Sequence, residues 1–244
     1  LEQRNSPEAE QEYQLALSID PNSTDAMSAL TNFYMAQHRF PNAENLLRKL
    51  VVLHPNDAAA HLQLGRMLAI AGQNDDAIAE MQAGLKLDPT DKKAQRDLAD
   101  VYSRAHKFAE AAQIYSVLLE NSPNDADLHY MLGRALLQQK KFADAQGELE
   151  KTIQLKPDLG EAYGDLALAA NSNKDYPLTI KSLDLRAKYL PENPLTYFLR
   201  ATAYDHMRDV KDASKYYHEF LNISGGKFPE QEWQAKHRLI AIEK

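Results

Sequence analysis

From Thr24 onward the apolar residues fall on a helical period in successive blocks, each closed by a short polar stretch. Between Thr24 and Pro55 the first block carries Met27, Leu30 and Tyr34, and the second carries Ala43, Leu47 and Leu50, with Val51 and Leu53 following. Steps of three and four residues place such side chains on one face of a helix. The pattern therefore predicts two amphipathic helices joined at Gln37-His38-Arg39. Pro41 suits the first turn of the second helix, because an N–H there has no intrahelical partner to lose. Pro177 and Pro7 hold the equivalent place.

The same two-block unit recurs. Pro21, Pro55, Pro89, Pro123, Pro157 and Pro191 are each 34 residues apart, and at ordinary proline usage the chance of this is on the order of 10⁻⁷. A period of this length marks helix-turn-helix units stacked into a solenoid, so length sets a repeat number rather than a domain count. Each proline disfavours helix at the residue before it and so ends the second helix of a unit. Asp57, Asp91 and Asp125 follow two residues later, as does Asn193, where a short acceptor caps the next helix. The expected division is a partial unit at 1–23, full units at 24–57, 58–91, 92–125, 126–159 and 160–193, a sixth with a divergent end at 194–228, and a closing helix at 229–244.

The pattern resembles the tetratricopeptide repeat, whose motif runs W-x2-L-G-x2-Y, then A-x3-F, then P. The second unit matches it with His61, Leu64, Gly65, Leu68, Ala77, Met81 and Pro89. The third gives Gln95, Leu98, Ala99, Tyr102, Ala111, Tyr115 and Pro123, and the fourth His129, Leu132, Gly133, Leu136, Ala145, Leu149 and Pro157. The large aromatic at the motif's first place is weakly kept. The small residue of the second helix recurs as Ala9, Ala43, Ala77, Ala111, Ala145, Thr179 and Ala213. The resemblance implies an all-α fold, a right-handed superhelix of antiparallel helix pairs.

The ends depart from the register. Residues 1–20 supply the tail of a first helix and then a second helix with Pro7, Ala9, Tyr13 and Ala16, so the array is expected to begin inside a longer one or after a removed segment. After Ile223 the chain reads Ser224-Gly225-Gly226-Lys227-Phe228-Pro229, a loop in place of the next proline. The helix after it carries Trp233, Leu239, Ile240 and Ile242 and is expected to cap the stack, with Trp233 as its anchor; a competing reading has Trp233 exposed as an anchor for a partner. The segment from Phe198 to Lys244, with this loop and helix, resembles the ends of exported bacterial repeat proteins.

Composition narrows the chemistry. A hydrophobic content of 44% and a charged content of 26% are ordinary for a folded protein. A net charge of −7 argues against nucleic-acid binding, which leaves a basic footprint. Without cysteine there are no disulfides, thiolate metal sites or cysteine nucleophile, and either a cytoplasmic or an exported periplasmic setting is compatible. No apolar stretch is long enough to span a membrane. There is no G-x-S-x-G elbow, glycine-rich phosphate loop, H-E-x-x-H or kinase signature. His61 and His129 lack a second ligand at zinc spacing and read as packing residues. The expectation is a non-enzyme with no cofactor and no metal.

What remains is a surface. The resemblance implies that first helices line a concave groove, into which the second, fifth, ninth and twelfth places of each unit project. The fifth places are Ser28, Leu62, Arg96, Tyr130, Gly164 and Phe198; the ninth are Asn32, Arg66, Asp100, Arg134, Leu168 and Thr202. The expected partner-binding residues are Asn32, Leu62, Arg66, Arg96, Asp100, Tyr130, Arg134 and Phe198, with Arg and Tyr the types enriched at interface hot spots. A competing reading makes Arg66, Asp100 and Arg134 an internal Arg-Asp-Arg ladder. The clamp for Hsp70 or Hsp90 tails is not expected, because the first frame through Ser28, Asn32, Gln63, Lys93 and Asp97 puts an acid where that clamp has arginine. The function expected is a scaffold holding an extended peptide or helix of a protein partner. The alternatives are a regulatory or substrate-recruiting arm of an enzyme whose catalytic domain lies elsewhere, and self-association through the first end.

Overall fold

The computed structural model describes residues 7–243; the expected first-helix tail at 1–6 lies outside the described residues. Among them the regular structure is α-helix, and the helices that open the expected units are α2 (Thr24–Ala36), α4 (Ala58–Ile70), α6 (Lys92–Arg104), α8 (Ala126–Gln138), α10 (Gly160–Ser172) and α12 (Pro194–His206). Their starts are 34 residues apart throughout. The second helices are α1 (Pro7–Ile19), α3 (Phe40–Leu53), α5 (Asn74–Leu87), α7 (Phe108–Asn121), α9 (Phe142–Leu155), α11 (Tyr176–Arg186) and α13 (Val210–Ser224), and α14 (Pro229–Ile242) closes the chain. The fold is an all-α solenoid of helix pairs, in two compact units that divide between Ile114 and Tyr115.

Turn chemistry sets these boundaries. Asp57 accepts from the backbone N–H of Ala59 and Ala60, Asp91 from Ala94, and Asp125 from Asp127 and Leu128. Asn193 forms a reciprocal capping box with Thr196. These are the caps the acceptor spacing called for. Inside each pair the turn has a feature the proline spacing did not reveal: His38, Gly72, His106, Lys140, Lys174 and Arg208, again 34 residues apart, all have positive φ between 56° and 78°. A left-handed residue just after a helix lets the chain reverse, and only Gly72 takes that conformation without a side-chain penalty. The other five are basic, which suits the negative end of the helix dipole.

The carbonyl oxygens of the spaced prolines are also held. Six residues on, the side chain at the motif's first place donates to them: His61 Nε2 to Pro55 at 3.1 Å, Gln95 Nε2 to Pro89 at 2.7 Å, His129 Nε2 to Pro123 at 3.0 Å and Tyr163 Oη to Pro157 at 3.0 Å. In the first unit that place is Met27, which cannot donate, and Lys49 Nζ from α3 bonds the Pro21 carbonyl instead. In the sixth, Arg186 Nη1 takes Pro191 at 2.9 Å. The motif's weakly kept aromatic is thus a hydrogen-bond donor here more than a filler.

Unit 1 (residues 1–114) and unit 2 (115–244) are each packed by the same small-residue contacts. Ala43, Ala77, Ala111, Ala145, Thr179 and Ala213 are fully buried. A Cβ built on Gly65 would lie 2.5 Å from Met81 Cγ and 3.1 Å from the Ala77 carbonyl, so in unit 1 the α4 and α5 backbones meet as closely as side chains allow. Leu30, Leu64, Leu98, Leu132 and Leu166 supply the buried seventh place of each first helix, each worth roughly 1.5–3 kcal/mol of hydrophobic transfer. The sixth repeat breaks the series: Arg200 stands there, 4% exposed, bonded to Asp184 and Glu192 and lying over the Tyr216 ring.

At the end of unit 2, Ala235 and Leu239 of α14 join Ala201, Ala213, Tyr217 and Phe220 in one core, with Phe228 and Ile242 packed against it. Trp233, expected as the cap's anchor, is 62% exposed and lies tilted against the His237 ring instead. Leu239 and Ala235 take the inward face because the steps of two and six residues from Trp233 carry them to the other side of the helix.

Candidate functional site

The expected interaction residues lie on the first helices, and each unit positions its own set. In unit 1, Asn32 is exposed on α2, and Arg66, Arg96 and Asp100 are partly buried on α4 and α6. Leu62 behaves differently: it is 5% exposed, because it folds over Gly84 of α5, where an added Cβ would lie 2.6 Å from Leu62 Cγ. A side chain so covered offers a partner nothing, and Leu62 is better counted as core. Gly164 and Arg186 of unit 2 invert this pair, the arginine Nε lying 3.3 Å from where a Gly164 Cβ would be. Phe198 likewise packs on Phe220, ring centroids 5.1 Å apart.

Arg66 forms an ion pair within unit 1. Its Nε donates to Asp97 Oδ2 at 2.6 Å, from α4 to the sixth place of the next repeat. The competing ladder reading had Arg66 on Asp100; the ion pair seen is with Asp97, one turn earlier on α6. Sixty-eight residues on, unit 2 repeats the arrangement with Arg134 Nε 3.6 Å from Asp165 Oδ2. Arg134 keeps 56% of its side chain exposed and lies 5.6 Å over the Tyr130 ring. Burial, then the nearby Asp165 charge, pushes the Tyr130 hydroxyl above its ordinary range. Burial also raises Asp165, against the opposing pull of Arg134 and the Tyr130 hydrogen bond.

The two motif histidines follow the same 68-residue recurrence. His61 Nδ1 lies 2.7 Å from Glu80 Oε2 and His129 Nδ1 lies 2.6 Å from Glu148 Oε2, so both ring nitrogens of each face oxygen acceptors. These contacts fix α4 to α5 and α8 to α9, the packing role their spacing implied.

A cleft of about 340 Å³ opens in unit 1 between α4 and α6. Ala69, Ile70, Met81 and Val101 give it an apolar floor, and Arg66, Lys93, Asp97, Asp100 and Arg104 a charged rim. Lys93 and Arg104 were absent from the expected set. The signal for them is in the sequence, since 93, 97, 100 and 104 follow one helical face. Among the described residues no helix is long and apolar enough to cross a membrane.

Comparison with known proteins agrees with this architecture. Family models of the tetratricopeptide repeat match residues 34–92, 68–135 and 104–171. Repeats of this kind generally mediate contact between proteins and are generally non-catalytic. The chain is 24% identical over 191 residues to tetratricopeptide repeat-containing protein trd-1 of Caenorhabditis elegans, covering 78% of this chain and 24% of that protein. It is 22% identical over 240 residues to the human protein O-mannosyl-transferase TMTC3, covering 96% of this chain and 26% of that one. It thus spans about a quarter of the length of these curated relatives. Among solved structures, the C-terminal part of a TPR repeat-containing protein from Cytophaga hutchinsonii superposes with a TM-score of 0.70 at 20% identity, covering 91% of this chain and 92% of that one. By its matched repeats and by the helix pairs that carry them, the chain belongs to the tetratricopeptide repeat family.

Proposed function

We propose that this protein is a non-catalytic scaffold whose first helices hold an extended peptide or a helix of a protein partner. The observation that carries this reading is the unit 1 cleft, where Arg66, Lys93, Asp97, Asp100 and Arg104 rim an apolar floor between two first helices. Arg134 in unit 2, lying over the Tyr130 ring and still largely exposed, supports the same use of first helices within that unit. Arginine and tyrosine combine a large apolar body with directed donors, which is why they anchor interfaces. The test is capture: Arg66→Glu with Arg134→Glu should lower recovery of the partners found by pull-down and mass spectrometry, with helicity unchanged. Undiminished recovery by the double variant rejects the first-helix face as the binding surface.

A second reading is favoured by the match to the human O-mannosyl-transferase, which covers nearly all of this chain and a quarter of that protein. In it these repeats recruit substrate or regulate an enzyme whose catalytic part lies in other sequence. The two readings separate on the full-length gene product, where the second requires a catalytic activity that Arg66→Glu changes in KM and not in kcat.

A further inference from the structure

We infer that the unit 1 cleft reads side-chain carboxylates, and that its ligand is an extended peptide segment with two acidic residues flanking an aliphatic one at alternate positions. The inference rests on the reading of the first-helix face as a partner surface and adds the chemistry of the partner. Along α6, Lys93, Asp97, Asp100 and Arg104 follow one another at steps of four, three and four residues and share one face. The acids hold the middle, where Arg66 already sits on Asp97 at 2.6 Å. The cations hold the ends, both exposed, and neither has an ion pair among the described residues. Between them Ala69, Met81 and Val101 are buried, while Ile70 remains 55% exposed.

Spacing then selects the ligand. Eleven residues of helix separate Lys93 from Arg104 by about 16 Å. In an extended peptide the side chains at i, i+2 and i+4 face the same way, and the outer two are about 13 Å apart. The flexible reach of lysine and arginine closes the difference. An aliphatic residue at the centre meets the exposed side chain of Ile70, and two carboxylates meet the two cations.

Unit 2 shows that these cations are not simply what the repeat prescribes. Sixty-eight residues beyond Lys93 and Arg104 stand Glu161 and Ser172, although the Arg134–Asp165 pair is kept. The equivalent place in unit 2 therefore lacks both cations, and unit 1 alone is expected to take the peptide.

The probe is a fluorescent peptide with glutamate, leucine and glutamate at alternate positions in a glycine-serine frame, acetylated and amidated so that it has no terminal carboxylate. Anisotropy with the full chain should show binding that weakens with salt. The exposed substitutions Lys93→Glu and Arg104→Glu together should weaken it by about tenfold or more at unchanged helicity. A peptide with lysine in place of both glutamates should not bind. Equal binding by the charge-reversed protein or by the lysine peptide overturns the inference, as does failure of the glutamate peptide to bind. If that peptide fails while partner capture still depends on Arg66 and Arg134, the inference falls and the scaffold reading stands. If capture ignores both arginines, the scaffold reading falls and takes the inference with it.

Discussion

Tyr163 Oη donates to the carbonyl oxygen of Pro157 at 3.0 Å, six residues back along the chain. His61, Gln95 and His129 make the same contact to Pro55, Pro89 and Pro123, so one hydrogen bond closes the turn before four successive first helices. Tyr163→Phe removes the donor and little else. We expect a loss of about 0.5–1.5 kcal/mol, measured by urea unfolding. No change in midpoint would mean that water replaces the hydroxyl without loss.

The left-handed turns predict an asymmetry. Replacing Lys140, Lys174 or Arg208 by glycine should stabilise the fold by up to about 1 kcal/mol each, because their positive φ disfavours a side chain. Gly72→Ala, at φ 78° with open space around it, should cost a similar amount for the same reason. Chemical denaturation of the four variants would show opposite signs; a loss from all the glycine substitutions would mean that their basic side chains matter more at the helix end than the backbone does.

Close packing sets a third expectation. Alanine is a better helix former than glycine by about 1 kcal/mol, yet Gly65→Ala should destabilise by about 1–3 kcal/mol. The new methyl would press on Met81 and on the backbone of α5, which cannot give way as a side-chain tip can. The more exposed Gly147, with nothing within 4 Å of an added Cβ, should show the helix preference alone and gain stability on the same change.

Acid should loosen the last helix. Asp205 of α12 accepts two bonds from Arg238 of α14, both 2.6 Å, and one from Tyr217 Oη at 3.1 Å. The Arg238 hydrogen bond, ahead of the opposing effect of burial, holds this carboxyl below its ordinary value of 3.8. A depressed folded-state value contributes stability above the unfolded one, lost as pH falls below about 4 and through the folded value. The partly exposed arginine limits the contribution to about 1 kcal/mol. Trp233, the single tryptophan, lies on α14 and reports on it by fluorescence. Asp205→Asn should show at neutral pH the α14 loosening that the native chain shows only in acid.

How much of this was legible in the sequence depends on whether the repeat register governs the residue. Helix positions, caps and the buried alanines follow from a local pattern, and the structure has them where the 34-residue spacing put them. Leu62 and Trp233 do not follow. Leu62 sits at a groove register, but its direction is set by Gly84 on another helix, a size difference visible only when the two are read together. Trp233 lies beyond Gly225, where the register lapses and nothing in the spacing sets the rotation of α14. Arg200 is harder still, since a charge in a leucine's place is buried only because Asp184 and Glu192 are near it. The pairing of Arg66 with Asp97 was missed for a related reason, since the two stand in different repeats and meet only through the packing of α4 against α6.

The pairing of Arg66 with Asp97 runs from one repeat into the next, which sets the smallest length of chain that can be exchanged without loss. Excising 92–125 would place Met131 at the sixth place after Arg66 and leave the guanidinium facing a thioether. Excising 92–159 would bring Asp165 to that place and restore the carboxylate. By this measure the protein is written in words of two repeats, and a shortened or lengthened version should keep its contacts only when it changes by whole words.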